Sequence, residues 1–276
     1  MGKKYYYVAV ISLLELLTSI VFSSCSEKLE EPVFVKKLVC SVDMDADIEF
    51  ITNSNSKLKA VDVEIPDMPE DLKLDFYDES VDKNNGYDLH CLNFGISTDN
   101  LSESGGLSVP FIFHEVIVKW DDGSETRADI GTIHIAESYE QSFSFDWRSR
   151  DETYPTDDTI AVVEEHQADE DLLITKIDIP YYDKLSKYIK DVNIAGRDAS
   201  EISKENPLAI EKGKTYILGY MVDTAVPIKY GTIFIECKII GTDKQGEEHI
   251  NMFYIQGNEN RNMPKWIMEQ IERSSL

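Results

Sequence analysis

Residues 38–50 read LVCSVDMDADIEF, and their side chains alternate in character. The members of one set are apolar: Leu38, Cys40, Val42, Met44, Ala46, Ile48 and Phe50. The members of the other set are mostly acidic: Val39, Ser41, Asp43, Asp45, Asp47 and Glu49. Because successive side chains of a β-strand point to opposite faces, this pattern predicts one long strand with a buried face and an acidic, solvated face.

Alternating patterns and β-branched or aromatic runs recur along the rest of the chain. They predict strands at 72–76, 109–120, 130–135, 142–147, 172–179, 215–222, 230–240 and 249–255. Turn signals lie between them, as at Asn84-Asn85-Gly86, Asp121-Asp122-Gly123 and Gln245-Gly246. Apolar residues at helical spacing predict one short helix after Pro180 and another at 264–272. The sequence therefore predicts a mainly β protein with one or two short helices.

A polar segment divides the chain into two halves. Residues 148–159 read RSRDETYPTDDT, contain Pro155 and show no periodicity, so we predict a linker at 149–159. On either side, many short strands separated by turns are typical of β-sandwiches. We expect two tandem sandwich domains of the immunoglobulin-like or transthyretin-like type, at 35–148 and 160–276.

The N-terminus has the layout of an export signal. Two lysines precede a mostly apolar run over residues 5–22, and small residues follow it. The sequence Phe22-Ser23-Ser24-Cys25 resembles the lipobox of bacterial lipoproteins, in the relaxed form found in Bacteroidetes. This resemblance implies a signal peptide at 1–24 that is removed, and fatty acids such as palmitate on Cys25.

The same resemblance implies a cellular location. Ser26 is not the aspartate that would retain a lipoprotein in the inner membrane, so we expect an outer-membrane protein. The acidic run at 26–31, SEKLEE, is similar to the export tags of surface lipoproteins in that phylum, which favours the cell surface over the periplasmic side. We expect residues 25–34 to form an acidic tether whose acylated Cys25 inserts into membrane lipid.

The net charge excludes one class of partner. The formal charge is −25, and because Lys3, Lys4 and Glu15 give the signal a charge of +1, the mature chain carries −26. A surface of that sign repels phosphate backbones, so we expect no nucleic acid partner.

Three cysteines remain once Cys25 is assigned to lipid. Cys40 and Cys91 lie on expected strands of the first half, where a disulfide is compatible with export. Cys237 alternates with apolar neighbours and has the character of a small core residue. We favour buried free thiols, and a Cys40–Cys91 disulfide is the alternative.

No pattern in the sequence indicates catalysis. The chain lacks the Gly-x-Ser-x-Gly elbow, the P-loop and the dinucleotide fingerprint, and its five histidines do not have the spacing of zinc ligands. The series Asp43, Asp45, Asp47 lacks the glycine and glutamate of a calcium loop, since Ile48 and Ser54 occupy those positions. We predict a protein that is not an enzyme and that holds no metal or cofactor.

Aromatic side chains are the remaining candidates for a binding surface. We predict that Trp147, Tyr181, Tyr182 and Trp266 are exposed and stack on a ligand such as a sugar ring. The architecture is similar to that of accessory lipoproteins of Bacteroidetes glycan-uptake systems, which implies a noncatalytic binding or adhesion module for a glycan or protein partner. The alternative is a structural anchor or assembly subunit of a surface fimbria-like polymer, which would accept a donor strand.

Replacement of Cys25 by alanine tests the lipid anchor. The thiol is the group that carries the fatty acids, so we expect Cys25→Ala to leave the membrane fraction while the wild-type chain stays in it. Fractionation followed by immunoblotting measures the difference, and Cys91→Ala is the matched control for loss of a thiol. Membrane retention of Cys25→Ala equal to that of the wild type would reject the anchor.

Overall fold

The structure is a computed structural model that describes residues 28–84, 86–99, 101–102, 106–142, 145–156, 159–223, 230–257 and 263–274. The predicted signal peptide and Cys25 lie outside these ranges. The strands are β1 (Val33–Phe34), β2 (Lys37–Ser41), β3 (Asp45–Asn53), β4 (Ala60–Glu64), β5 (Leu72–Lys83), β6 (Tyr87–Thr98), β7 (Phe111–Trp120), β8 (Glu125–Ile135), β9 (Phe145–Thr156), β10 (Thr159–Ala168), β11 (Leu172–Asp178), β12 (Ile189–Ile194), β13 (Arg197–Asp198), β14 (Leu208–Ile210), β15 (Thr215–Asp223), β16 (Thr232–Thr242) and β17 (Glu248–Gly257). The helices are α1 (Tyr182–Leu185) and α2 (Met263–Ser274), with a 3-10 turn at Ala199–Glu201. The predicted mainly β chain with short helices is confirmed.

The strands form three sheets. The first has the order β1-β3-β6-β5, and the third has the order β13-β12-β15-β10-β9. The second and longest sheet runs β14-β11-β16-β2-β8-β7-β4, and β17 pairs along the other side of β16. Because the second sheet contains strands from both halves of the sequence, it extends through the whole described structure.

Two apolar cores lie between these sheets. The first core joins β3, β5 and β6 to β4, β7 and β8, and it contains Phe50, Phe94 and Trp120. The second core joins β10, β12 and β15 to β11, β16 and β17, and it contains Tyr220 and Phe253. Sheets that stack through apolar inner faces form a β-sandwich arrangement, as the sequence predicts.

Strand β2 connects the two cores. It pairs in parallel with β16 on one side and with β8 on the other, so that Cys40 lies opposite both Ile235 and His134. Leu38 and Cys40 belong to the second core, whereas Val39 packs against the first. Four of the five side chains of β2 are buried and Val39 is half-buried, as expected for a strand that is covered on both faces, so β2 belongs to both sandwiches.

Strand β2 also carries a buried cation. The side chain of Lys37 is only 3% exposed, and its ammonium pairs with the carboxylate of Asp47 and, at 3.6 Å, with that of Glu49. Both acidic residues belong to β3, so this ion pair links the first sheet to the second. A buried charge is tolerated only when such partners compensate its lost hydration.

The single strand predicted at 38–50 is wrong, because the segment forms two strands in different sheets. β2 ends at Ser41, β3 begins at Asp45, and residues 42–44 carry the chain from the second sheet to the first. The alternation keeps its phase across this bend, so that Leu38 faces the second core and Phe50 faces the first. Alternation alone does not distinguish one strand from two in this case.

Most of the segment predicted as a linker, 149–159, forms strands. Residues 149–156 continue β9, Thr159 begins β10, and the two strands pair with Arg150 opposite Glu164. β9 is an edge strand of the third sheet, and a polar sequence is typical of edge strands because it disfavours pairing with another chain. The absence of an apolar period therefore marks an edge strand here, and the domain boundaries at 35–148 and 160–276 stay a prediction.

The C-terminal helix packs on the first half of the chain. A third apolar cluster contains Trp266, Ile267 and Ile271 of α2 together with Val35, Ile51, Tyr87 and Leu89. Leu29 packs against the same cluster, and its backbone N–H and carbonyl bond to the side-chain amide of Asn53 at 3.0 and 2.8 Å. The described helices include none that is both long enough and apolar enough to span a membrane.

The cysteines of the described chain are not paired. Cys40, Cys91 and Cys237 are free thiols, and Cys40 and Cys237 are buried. Cys40 lies on β2 in the second sheet and Cys91 lies on β6 in the first. The structure therefore agrees with the favoured free thiols and not with the alternative disulfide.

Truncation of Leu38 tests the role of β2. Because Leu38 is fully buried, Leu38→Ala should lower the free energy of unfolding by about 2–5 kcal/mol, measured by urea titration. The control Val61→Ala removes methyl groups from a side chain that is 53% exposed and should cost less than about 1 kcal/mol. Equal losses for the two variants would contradict a central position of β2.

Candidate functional site

An open cleft lies where β11, β14 and the β16–β17 hairpin meet at one end of the second sheet. Its volume is about 440 Å³. It is lined by Asp171, Leu172, Leu173, Ala209, Ile210, Glu211, Thr242, Asp243 and Lys244. A concave site of several hundred Å³ that combines apolar walls with a few charged groups is the usual form of a small-ligand site.

Strand pairing fixes the apolar wall of the cleft. Leu173 lies on β11 opposite Ala209 of β14 and Thr242 of β16. Its neighbours Leu172 and Ile174 point into the second core, so the alternation turns Leu173 outward, where it is 44% exposed. The cleft therefore offers a ligand an apolar contact that is held by strands on both sides.

A charged pair is fixed on the rim. Asp171 accepts the backbone N–H of Lys212 at 2.8 Å and the ammonium of Lys244 at 2.9 Å. The hydrogen bond from the backbone of Lys212 lowers the pKa of Asp171, and the hydrogen bond and positive charge of the Lys244 ammonium lower it further. Because the pair is exposed, it contributes orientation more than stability. The rim thus presents an ionised carboxylate and an ammonium in a defined geometry.

The turn between β16 and β17 positions a second carboxylate. Asp243 accepts the backbone N–H groups of Gln245 and Glu247 at 2.9 and 2.8 Å. Gly246 has a φ of 83°, a conformation that glycine adopts without steric cost. The turn directs the other oxygen of Asp243 towards Nε2 of His249, at 3.4 Å.

The surroundings of His249 favour its charged form. Burial lowers the pKa of His249, but the carbonyl of Ser142, the Asp243 carboxylate and the charge of Glu170 together raise it above the ordinary value. Burial in turn raises the pKa of Asp243, but hydrogen bonds from the turn and from His249 lower it overall. The two side chains therefore stabilise each other as an ion pair beside the cleft.

Asp243, Glu247 and His249 also form a group with metal-binding atoms within 4.8 Å of one another. One imidazole nitrogen and two carboxylate oxygens are a donor set that zinc or manganese accepts. However, Glu247 is exposed and Asp243 already accepts two backbone N–H groups of its own turn. These hydrogen bonds account for the arrangement, and we assign no ion to it.

Another group of reactive side chains lies between β2, β8 and α1, with Cys40 buried and His134 and Tyr181 half-buried. Sγ of Cys40 and Oη of Tyr181 lie 3.4 and 3.0 Å from Nδ1 of His134. Burial raises the pKa of Cys40 to about 12 and lowers the pKa of His134. Both groups are therefore neutral near pH 7, whereas a cysteine nucleophile must be a thiolate. The cluster therefore lacks the thiolate that a nucleophilic site requires.

Of the aromatic residues predicted to stack on a ligand, Tyr181, Tyr182 and Trp266 are not among the residues that line the cleft. Trp266 is 6% exposed in the third apolar cluster, so its predicted exposure is wrong, because α2 buries its apolar face. Tyr181 bonds to His134 and lies under the ammonium of Lys184, at 4.7 Å. Tyr182 is 43% exposed, and the side chain of Trp147 lies outside the described residues.

Sequence patterns did not reveal the cleft. Its charged pair joins Asp171 to Lys244, which are 73 residues apart. Of the features predicted from the sequence, the turn at Gln245-Gly246 lies nearest to the cleft. The pairing of β11 with β16 is not predictable, because no local pattern identifies the neighbour of a strand.

Comparisons with known proteins do not assign a family. No protein-family model matches the chain, and no curated protein is significantly similar to it. Among the solved structures that are similar is the crystal structure of a protein of unknown function from Porphyromonas gingivalis W83, with 12% sequence identity and a TM-score of 0.24. The similarity covers 81% of this chain and 98% of that chain.

The pKa values of the thiols predict that they are chemically inert in the native chain. Cys40 and Cys91 each have a pKa of about 12, so at about pH 8 roughly one thiol in ten thousand is ionised. Burial also raises the pKa of Cys237. We expect iodoacetamide to spare all three thiols in the native chain and to alkylate them in urea, as measured by peptide mass spectrometry. Rapid native alkylation of Cys40 would show that His134 activates it.

Proposed function

We propose that the chain is an outer-membrane lipoprotein, anchored through acylated Cys25, whose β ectodomain is a noncatalytic binding module at the cell surface. The lipobox-like sequence that ends at Cys25 supports the anchor. The observation that carries the binding role is the cleft at the end of the second sheet. It combines the exposed side chain of Leu173 with the fixed pair of Asp171 and Lys244.

The protonation states at the cleft support a role without catalysis. The pKa values of Asp171 and Asp243 are both lowered by hydrogen bonds, so these carboxylates stay ionised near pH 7. A carboxyl group acts as a general acid when its pKa is raised towards the working pH, which is the opposite arrangement. The carboxylates of Asp171 and Asp243 are therefore suited to hold a ligand and not to transfer a proton to it.

The chemistry of the rim favours an oligosaccharide as the ligand. Ionised carboxylates accept hydrogen bonds from sugar hydroxyl groups, and the ammonium of Lys244 donates to ring and hydroxyl oxygens. The exposed face of Leu173 suits the C–H face of a sugar ring. A glycan ligand therefore requires no stacking by the aromatic residues that the sequence indicates.

The alternative role, as a subunit of a fimbria-like polymer, has less support. Exchange of a strand between subunits requires a strand that leaves the sheet without breaking it. β2 is the first strand after the tether that is paired on both sides. It lies between β16 and β8 in the middle of the second sheet. Its removal would separate the two cores.

A matched pair of variants tests the proposed site. Leu173→Asp places a charge where the apolar face of a sugar would lie, and we expect it to weaken glycan binding at least about tenfold. Ile217→Asp is the control, because Ile217 is also an exposed aliphatic residue, at 49%, but lies on β15 outside the cleft lining. The purified lipoprotein is screened on an oligosaccharide array, and hits are quantified by calorimetry.

Two results would contradict this proposal. If the wild-type lipoprotein binds none of the oligosaccharides, the ligand class is wrong. If Leu173→Asp and Ile217→Asp change the affinity equally, the cleft is not where the ligand binds.

A further inference from the structure

The backbone at Leu29 is fixed to the folded domain. Its N–H donates to Oδ1 of Asn53 at 3.0 Å, and its carbonyl accepts from Nδ2 of the same amide at 2.8 Å. Its side chain packs against the apolar cluster that includes Trp266 and Ile271 of α2. The ordered domain therefore begins no later than Leu29, four residues after Cys25.

The tether predicted at 25–34 is too long, because Leu29 already packs on the domain and Val33–Phe34 form β1. The four residues that precede Leu29 from Cys25 onwards form a short tether. A fully extended chain spans at most about 3.6 Å per residue, so Leu29 lies within about 14 Å of Cys25. Acyl chains on Cys25 hold that residue at the level of the lipid headgroups. The part of the domain around Leu29 is therefore held close to the membrane. We call this part the tether end, defined by Leu29, Asn53 and α2.

The tether end adjoins the start of β16. Gly231, the residue before β16, donates its N–H to the carbonyl of Lys36 at 2.7 Å. A methyl group added to Gly231 would lie 2.9 Å from Oε1 of Gln270, which shows how closely α2 covers this position. α2 thus extends from the cluster around Leu29 to the first residues of β16.

The cleft lies at the other end of the same strand. β16 runs from Thr232 to Thr242, and at about 3.3 Å per residue its ends are about 33 Å apart. Thr242 lines the cleft, and β17 returns antiparallel from Glu248 to Gly257 beside the whole length of β16. Two paired strands therefore separate the cleft from the tether end as a rigid spacer.

We infer that the lipid surface orients this protein, with the tether end against the membrane and the cleft directed away from it. This orientation rests on the proposed lipid anchor at Cys25. It does not depend on attraction between the domain and anionic headgroups, because the exposed residues next to the tether include Glu30 and Glu31. The constraint is the length of the tether.

Two exposed loop positions measure the orientation. Asn55 lies two residues after Asn53 at the tether end, and Gln245 lies at the tip of the β16–β17 turn beside the cleft. Asn55→Cys and Gln245→Cys are each labelled with a maleimide dye in the lipidated full-length protein, and the wild type gives the background from native thiols. The proteins are reconstituted into vesicles that contain a short-range headgroup acceptor, and energy transfer is measured after flotation.

We expect transfer from position 55 to exceed transfer from position 245 by at least about twofold, because the two differ by about the length of β16. Insertion of about 20 Gly/Ser residues after Ser26 should bring the two values together, because a long flexible tether no longer fixes the distance. Equal or reversed transfer from the short-tethered protein overturns the orientation while the anchor stands. Absence of floating protein instead shows that the lipid anchor itself is wrong, and the orientation is lost with it.

Discussion

Strand β2 pairs in parallel with β16 and with β8 and sends alternate side chains into two different cores. Without it the second sheet would separate into two parts, each with an open edge. Parallel pairing at this point follows from the route of the chain, since β2 leaves for the first sheet through residues 42–44 and not through a tight hairpin. Lys37 strengthens the junction, because its buried ammonium pairs with carboxylates of the sheet that packs opposite. The two sandwiches therefore form one continuous structure.

This continuity relates the two ends of the described molecule. β16 pairs with β2 at its first residues and with β11 at its last, and β17 covers its other side throughout. The strand that anchors the junction therefore also supports the cleft. The position of the tether end therefore fixes the position of the cleft, because paired strands and not a flexible segment connect them. Under the proposed lipid anchor, a binding site at Thr242 and Lys244 keeps a defined height above the membrane.

Local structure was largely predictable, whereas pairing was not. The turns at Gly86, Gly123 and Gly246 have the positive φ angles that their sequences indicate, and the strands beside them form where alternation predicts them. The segment 38–50 shows the limit, since a bend that keeps the phase of the alternation is invisible to periodicity. The segment 149–159 shows another limit, because a polar edge strand and a linker have the same composition. The predicted exposure of Trp266 fails because the residues that cover it, among them Val35, Ile51 and Tyr87, are distant from it in the sequence.

The position of ionisable groups explains why the rim, and not the interior, is suited to a function. Glu236 is buried and accepts a hydrogen bond from Tyr139 at 2.7 Å, with further bonds from β2 and the residue after it. Glu79 bonds to His90 at 2.5 Å, and both belong to the first sheet. Groups that find their partners inside the fold make no contact with a ligand. Asp171 differs because its partners hold it at the surface of a cleft, where its remaining hydrogen-bonding capacity is open to solvent. Binding at the end of a rigid sheet requires such groups, and Asp171 and Lys244 supply them in a fixed geometry.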